Sequence, residues 1–187
     1  MKKQSSIAQI AIFFAIMLVL HLLSSVIFNL LPVPIKPTII HIPVIIASII
    51  YGPRIGAVLG ALMGVISVVT NTVVLLPTSY LFSPFVENGS INSLIIAMIP
   101  RILIGITPYF VYKWMKTKPG LVLAGAVGSM TNTIFVLGGI FILFSSVYNG
   151  DIKAMLALIF SANAISEMII SAILTVAIVP ALEKLKK

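Results

Sequence analysis

Residues 41–64 carry the sequence HIPVIIASIIYGPRIGAVLGALMG, which is apolar almost throughout. A Gly-Pro turn signal divides the stretch at Gly52, and Arg54 is its one charged residue. The first half has 12 residues and as a helix is about 18 Å long. That length falls short of the roughly 30 Å hydrocarbon core of a bilayer. The stretch therefore predicts two consecutive membrane helices joined by a minimal turn, the first of them unusually short.

The rest of the chain has the same apolar character. Of its 187 residues, 60% are hydrophobic and only 9% are charged, whereas a soluble domain usually carries about 25% charged residues. Such a chain cannot cover a water-facing surface, which excludes a soluble enzyme and a disordered tail. Since a spanning helix needs about 20 residues, about six spans and their loops use up the chain. We expect one transmembrane domain over residues 1–187.

Six apolar segments predict an all-α, polytopic membrane protein. Three of them are long stretches without charge, while the fourth and sixth contain Arg101 and Glu167, respectively. The six predicted transmembrane helices cover residues 7–31, 40–52, 55–76, 93–113, 120–146 and 154–182.

The basic residues predict the orientation. If the N-terminus is inside, the cytoplasmic segments hold nine Lys and Arg residues, and the outer loops hold only Lys36 and Lys153. Positive charge collects in cytoplasmic loops, so both termini are predicted to be cytoplasmic. The basic residues lie in small groups at the ends of apolar runs, which argues against a nucleic-acid partner despite the net charge of +8.

Arg101 is the most informative residue of the chain. It is predicted to lie about 12 Å below the outer end of its helix, where a charge nearly always faces a partner or a cavity. A guanidinium suits the two-point binding of a carboxylate or phosphate. Either Arg101 binds an anionic ligand or it forms an internal ion pair with Glu167. The two interpretations are compatible if Glu167 orients Arg101 for the ligand.

Further polar residues fall in the outer halves of the predicted helices, opposite two long outer loops. Asn163 and Glu167 are four residues apart and share one helix face. Buried amides need partners, so hydrogen bonding between helices remains an alternative for each residue taken alone. Together they predict an outward-opening pocket for a small molecule, roofed by the loops 32–39 and 77–92. The candidate substrate-binding residues are Arg101, Asn132, Asn163, His41, Glu167, Asn71, Phe82 and Tyr80.

No catalytic or metal-binding pattern is present in the sequence. It contains no nucleotide-binding P-loop, no His-Glu-x-x-His and no Gly-x-Ser-x-Gly motif. It has no cysteine, and His21 and His41 do not have the spacing of a metal site. His21 is expected only to pack. We therefore expect no enzyme, no metal and no cofactor in this chain, so that any use of ATP would need another subunit.

Several segments resemble the substrate-binding S components of energy-coupling factor (ECF) transporters, in particular the pantothenate-specific ones. The resemblance implies a vitamin-binding subunit in the cell membrane of a Gram-positive bacterium. It also implies partners, namely a transmembrane coupling subunit and two cytoplasmic ATPases that bind the ATP. Ala11 and Ala15 match an Ala-x-x-x-Ala patch of the family that faces the coupling subunit. The resemblance is carried by residues 41–64, Phe82-Ser-Pro-Phe85, Asn88-Gly89, Pro100-Arg101 and Tyr109-Phe-Val-Tyr-Lys113.

The function implied by the resemblance has three alternatives. Pantothenate is a small anion with a carboxylate, an amide and two hydroxyls, which Arg101 and the asparagines would bind. The first alternative is an S component for another vitamin. The second is a stand-alone secondary transporter coupled to protons or Na⁺, with Glu167 as the coupling carboxylate. The third is a membrane scaffold without a ligand, in which Arg101 and Glu167 only hold helices together.

Overall fold

The computed structural model describes residues 6–30, 38–145 and 150–186, with side chains placed for 6–27, 38–145 and 163–185. Within these ranges every regular element is helical, and a 3-10 turn, Ser79–Leu81, lies between the third and fourth helices. The α-helices are α1 (Ser6–Leu30), α2 (His41–Tyr51), α3 (Pro53–Val73), α4 (Ile91–Ile104), α5 (Thr107–Trp114), α6 (Lys118–Leu143) and α7 (Gly150–Lys186).

Five segments of the described chain are long and apolar enough to cross a membrane. The predicted all-helical, polytopic membrane protein is therefore confirmed. The second predicted helix is α2, which has 11 residues and a length of about 16 Å. The five segments are Ser6–Ile27, Pro53–Val73, Ile91–Trp114, Lys118–Leu143 and Asn163–Leu185.

The short helix α2 is the centre of the bundle. Each of its residues from His41 to Ile50 is buried, and it packs against all six other helices. A helix that is apolar on all sides is stable where other elements surround it.

Gly52 ends α2 with a φ of 99°, a left-handed conformation that favours glycine. Pro53 then occupies the first turn of α3, where its missing N–H is not needed.

The predicted helix 93–113 is divided in the structure into α4 and α5. The interruption lies at Gly105 and Ile106. A Cβ atom at Gly105 would collide with the carbonyl group of Gly56 on α3, so the two helices touch through their backbones here. Pro108 lies in the first turn of α5, a position where proline favours a new helix start. The other predicted boundaries differ by a few residues, and Lys153 belongs to α7 rather than to a loop.

The glycines of α3 form the contact with α4. A Cβ atom at Gly60 would collide with the backbone carbonyl of Arg101, and one at Gly64 would lie 2.6 Å from Sδ of Met98. Small residues let two helix backbones approach closely in a membrane. These glycines thus form an internal packing surface, which holds the backbone of Arg101 against α3.

Helix α1 is attached to the bundle by few side chains. Among its described residues only Phe13 and Met17 are buried, and they pack in the core around α2. Ala11 and Ala15 are exposed. Most of α1 is therefore open to lipid or to another protein.

We expect Gly60→Ala to destabilise the protein by about 1–3 kcal/mol, the usual cost of overpacking, because its methyl group would collide with the Arg101 carbonyl. Gly138→Ala is the matched control. Nothing lies within 4 Å of a Cβ atom at Gly138, and alanine is more favourable than glycine inside a helix by about 0.5–1 kcal/mol. Thermal unfolding in detergent measures both variants, and equal melting temperatures would contradict the close contact between α3 and α4.

Candidate ligand-binding site

Most of the residues selected from the sequence meet at one cavity of about 220 Å³, here called the polar cavity. Its walls come from α3, α4, α6 and α7 and from the segments before α2 and α4. All of the lining residues except Phe82 and Val136 carry polar side chains. The lining consists of Thr38, Ser67, Asn71, Phe82, Arg101, Asn132, Thr133, Val136, Asn163 and Glu167.

Arg101 presents a buried guanidinium to the polar cavity. Its side chain is 9% exposed, and Nη1 donates a hydrogen bond of 2.8 Å to the Ile96 carbonyl. The guanidinium carbon lies 5.2 Å from the centre of the Phe82 ring, a cation–π arrangement. Nε is buried and has no hydrogen-bond partner among the described residues. A guanidinium has five N–H donors, so this one retains capacity for an additional acceptor.

Glu167 faces the same cavity from α7, and its side chain is 6% exposed. Its Oε1 accepts a hydrogen bond of 2.6 Å from the backbone N–H of Thr38, shortly before α2. Among the described residues, Arg101 and Glu167 are each hydrogen-bonded to a different partner and not to each other. The two opposite charges share one cavity, and space for a ligand remains between their other donors and acceptors.

Amide side chains form further walls of the polar cavity. Asn132 on α6 has a buried Oδ1 without a hydrogen-bond partner in the described part of the chain. Asn71 donates from Nδ2 to the Ser67 carbonyl at 2.9 Å, and Asn163 lines the cavity from α7. Burying a polar atom away from water is costly unless the atom is hydrogen-bonded. The unused oxygen of Asn132 is therefore suited to accept from a ligand.

Phe82 is held over Arg101 by the connection between α3 and α4. The 3-10 turn before it is anchored by Ser93, whose Oγ donates to the Tyr80 carbonyl. After it, the Ser83 hydroxyl lies 2.7 Å from the Thr72 hydroxyl of α3. Phe82 itself packs in a small hydrophobic cluster with Leu81, Ile96, Val136, Ile140 and Phe144.

Two of the eight predicted binding residues lie outside the polar cavity. His41 begins α2 at the centre of the bundle, where its side chain is 1% exposed, and it does not line the cavity. Tyr80 lines a separate cavity of about 520 Å³ in the connection between α3 and α4. Of the predicted roof, residues 32–37 lie outside the described residues, and the loop 77–92 contributes Phe82.

Four lining residues were not selected from the sequence, namely Thr38, Ser67, Thr133 and Val136. Serine and threonine are frequent in membrane helices, where they often bond to their own backbone, so their type alone gives no signal. His21 also differs from the expectation that it only packs. Its Nε2 lies 3.1 Å from the Thr70 hydroxyl, and both residues line a second cavity of about 170 Å³, here called the α1 cavity.

The chemistry of the site is that of binding. Among the described residues, no group of three or more His, Asp or Glu side chains is placed to hold a metal ion. The polar cavity instead combines one guanidinium, one carboxylate, three amides and several hydroxyls. Such a set suits a small polar molecule that carries a negative charge.

Comparison with known proteins agrees with this chemistry. A family model described as "ECF transporter, substrate-specific component" matches residues 5–179. The Pantothenic acid transporter PanT of Lactococcus lactis subsp. cremoris (strain MG1363) is 50% identical, with 97% of this chain and 95% of the relative aligned. The Pantothenate transporter PanT of Leuconostoc mesenteroides subsp. mesenteroides is 31% identical, with 76% of this chain and 73% of the relative aligned. The chain is thus a transport protein rather than an enzyme, and it belongs to the family of substrate-specific components of ECF transporters.

Proposed function

We propose that this chain is the pantothenate-binding S component of an ECF importer in the cell membrane of a Gram-positive bacterium. The observation that carries the proposal is the buried guanidinium of Arg101, which faces a polar cavity with unused N–H donors. Pantothenate carries one carboxylate, which matches this single cation. The names of the two similar transporters support the same vitamin.

The size of the polar cavity supports a small ligand. Its volume of about 220 Å³ lies below the roughly 300–1,000 Å³ that is typical of sites for drug-sized molecules. A large flat vitamin such as folate or riboflavin would need more room and more aromatic stacking surface, whereas Phe82 is the one aromatic residue among the described lining residues. In the proposed complex Arg101 binds the carboxylate, and Asn132 and Asn163 bind the amide group.

The proposed topology is one transmembrane substrate-binding domain over residues 1–187 with six helices in the membrane. The sixth helix besides the five long apolar segments is α2, which would lie inside the bundle. Both termini are cytoplasmic in this proposal. It is supported by the nine basic residues that then fall on the cytoplasmic side, against Lys36 and Lys153 on the other.

The proposed partners are a transmembrane coupling subunit and two cytoplasmic ATPases, which bind the ATP. This chain itself would bind no cofactor and no nucleic acid. Ala11 and Ala15 lie one turn apart on α1 and are exposed, so a partner helix has access to them. Small side chains favour close packing of helices in lipid. We assign this patch to the coupling subunit.

We expect Arg101→Ala to weaken pantothenate binding by the purified chain about 10- to 100-fold. Hydrogen bonds to charged groups contribute about 1.5–3 kcal/mol, and about 1.4 kcal/mol corresponds to a tenfold change in affinity. Arg101→Lys should recover little, because lysine lacks the two-point geometry of the guanidinium. Isothermal titration calorimetry measures the affinities, and mass spectrometry of the co-purifying small molecule identifies the natural ligand.

Asn132→Ala is the comparison variant for this experiment. It removes a neutral hydrogen bond, which contributes about 0.5–1.5 kcal/mol, so its loss should be about 2- to 10-fold. Unchanged affinity in a folded Arg101→Ala protein would contradict ligand binding by Arg101. It would favour the alternative in which Arg101 only forms an internal ion pair with Glu167.

We expect uptake of labelled pantothenate into vesicles only when this chain is reconstituted with its coupling subunit and ATPases and when ATP is supplied. The physical reason is that the chain contains no nucleotide-binding motif and would depend on its partners for energy. Uptake by the chain alone under a proton or Na⁺ gradient would instead favour a secondary transporter, for which Glu167 is the candidate coupling group. Absence of any bound ligand would favour a scaffold.

We expect Ala11→Trp and Ala15→Trp to abolish ATP-driven uptake in the complex while the isolated chain still binds pantothenate. Neither residue lines the polar cavity, the α1 cavity at His21 or the cavity at Tyr80, so ligand binding should be unaffected. A bulky side chain at a close contact typically costs about 1–3 kcal/mol through overpacking. Co-purification with the ATPases, measured beside ligand titration, separates the two effects.

Ile12→Trp is the matched control for the alanine variants. Ile12 is also exposed on α1, between the two alanines in sequence, but it is already a large side chain outside the small-residue patch. It should assemble normally. Normal assembly and transport by both alanine variants would exclude the patch as the coupling interface.

A further inference from the structure

The α1 cavity is the feature from which a further inference is drawn. It lies beside the polar cavity, has a volume of about 170 Å³, and is bounded by α1 through His21. The two cavities share Thr38, Ser67, Asn71 and Arg101 in their walls. They therefore adjoin.

The volumes favour the use of both cavities by one ligand. Neither the polar cavity nor the α1 cavity reaches the roughly 300 Å³ that marks the lower end of typical ligand sites. Arg101 borders both of them. A ligand whose carboxylate is bound by Arg101 thus has two adjoining spaces within its reach.

The walls of the two cavities differ in chemistry. The polar cavity is lined by amides, hydroxyls and a charge pair, while the α1 cavity adds the apolar side chains of Ile40, Met63 and Ile66. The hydrogen-bonded pair of His21 and Thr70 lines the same cavity. A threonine hydroxyl can donate one hydrogen bond and accept two, so this pair retains capacity for a hydroxyl group of a ligand.

We infer that the binding site is bipartite, and that the α1 cavity is a second subsite that recognises the branched, hydroxyl-bearing end of the ligand. This inference rests on the proposed function. One end of pantothenate is a carboxylate joined to an amide, which matches the polar cavity. The other end carries two methyl groups on one carbon between two hydroxyl-bearing carbons. That mixture matches a cavity lined by Ile40, Met63 and Ile66 together with His21 and Thr70.

The subsite makes α1 part of the ligand site. His21 is the residue by which α1 reaches the α1 cavity, and its hydrogen bond to Thr70 joins α1 to α3 there. The inference assigns His21 and Thr70 as specificity-determining residues for the hydroxyl groups, whereas Arg101 determines the requirement for an anion.

The test compares two ligands, pantothenate and its analogue that lacks the terminal hydroxyl group. Thr70→Val keeps the branched shape and removes the hydroxyl, and His21→Ala is a second, independent variant. Each should bind pantothenate about 2- to 10-fold more weakly than the unaltered protein, as expected for one lost neutral hydrogen bond. Both should bind the deoxy analogue as tightly as the unaltered protein does. Titration calorimetry of the purified full chains gives the affinities of the unaltered protein and of both variants for each ligand.

Thr107→Val is the matched control. It removes a hydroxyl that lies 3.1 Å from the Thr131 hydroxyl of a neighbouring helix, but Thr107 lines neither cavity. It should bind both ligands like the unaltered protein.

Equal losses for both ligands in Thr70→Val and His21→Ala, or no loss for either ligand, would overturn the bipartite site. The proposed function would survive that result if pantothenate binding still depends on Arg101. Failure of the unaltered protein to bind pantothenate would overturn the proposed function itself, together with the subsite.

Discussion

Burial of the Arg101 guanidinium is the constraint on which the part of the bundle around the polar cavity depends. A charge inside a membrane protein is costly unless polar groups surround it. Three groups stabilise it here, namely the Ile96 carbonyl of its own helix, the aromatic ring of Phe82 and the carboxylate of Glu167, which lines the same cavity. The last two tie other elements to the same point. Phe82 fixes the connection before α4, and Glu167 fixes α7 and, through the Thr38 N–H, the approach to α2.

The short length of α2 creates the space in which this charge is buried. A helix of about 16 Å fills only part of a hydrocarbon core of roughly 30 Å. α2 is wholly enclosed by the other helices, and Thr38, three residues before its start, already lines both cavities. A helix of full length at the same central position would occupy the volume of the two cavities. The break at Gly105 serves this arrangement, because Gly105 comes into close backbone contact with Gly56 of α3, and Gly56 also lies against the Ser48 side chain of α2.

The sequence predicts those parts of the site that are formed by charged or amide residues within apolar helices. Charged and amide residues inside spans are rare, so Arg101, Glu167, Asn71, Asn132 and Asn163 could be selected, and all of them line the polar cavity. Hydroxyl residues such as Ser67 and Thr133 could not, because they are common in membrane helices and bond locally. A single sequence also does not determine which side of a helix faces the core and which faces a cavity. His41 and His21 have similar local surroundings in the sequence, yet His41 is enclosed at the centre of the bundle and His21 borders a cavity. The interruption at Gly105 depends on Gly56 of another helix, a contact that local sequence does not reveal.

The charges of the site also constrain the direction in which an anion can bind. The described walls supply one guanidinium and one carboxyl group, so a bound anion brings a second carboxyl group to a single cation. Like charges disfavour each other at short range in a medium of low dielectric constant. A ligand carboxylate is therefore stable on the side of Arg101 that faces away from Glu167. The Glu167 carboxylate, which accepts from Thr38, can then accept from a further donor such as an amide N–H or a hydroxyl. A monocarboxylate with hydrogen-bond donors farther along its chain satisfies both charged residues at once, whereas a dicarboxylate would leave one negative charge without a partner.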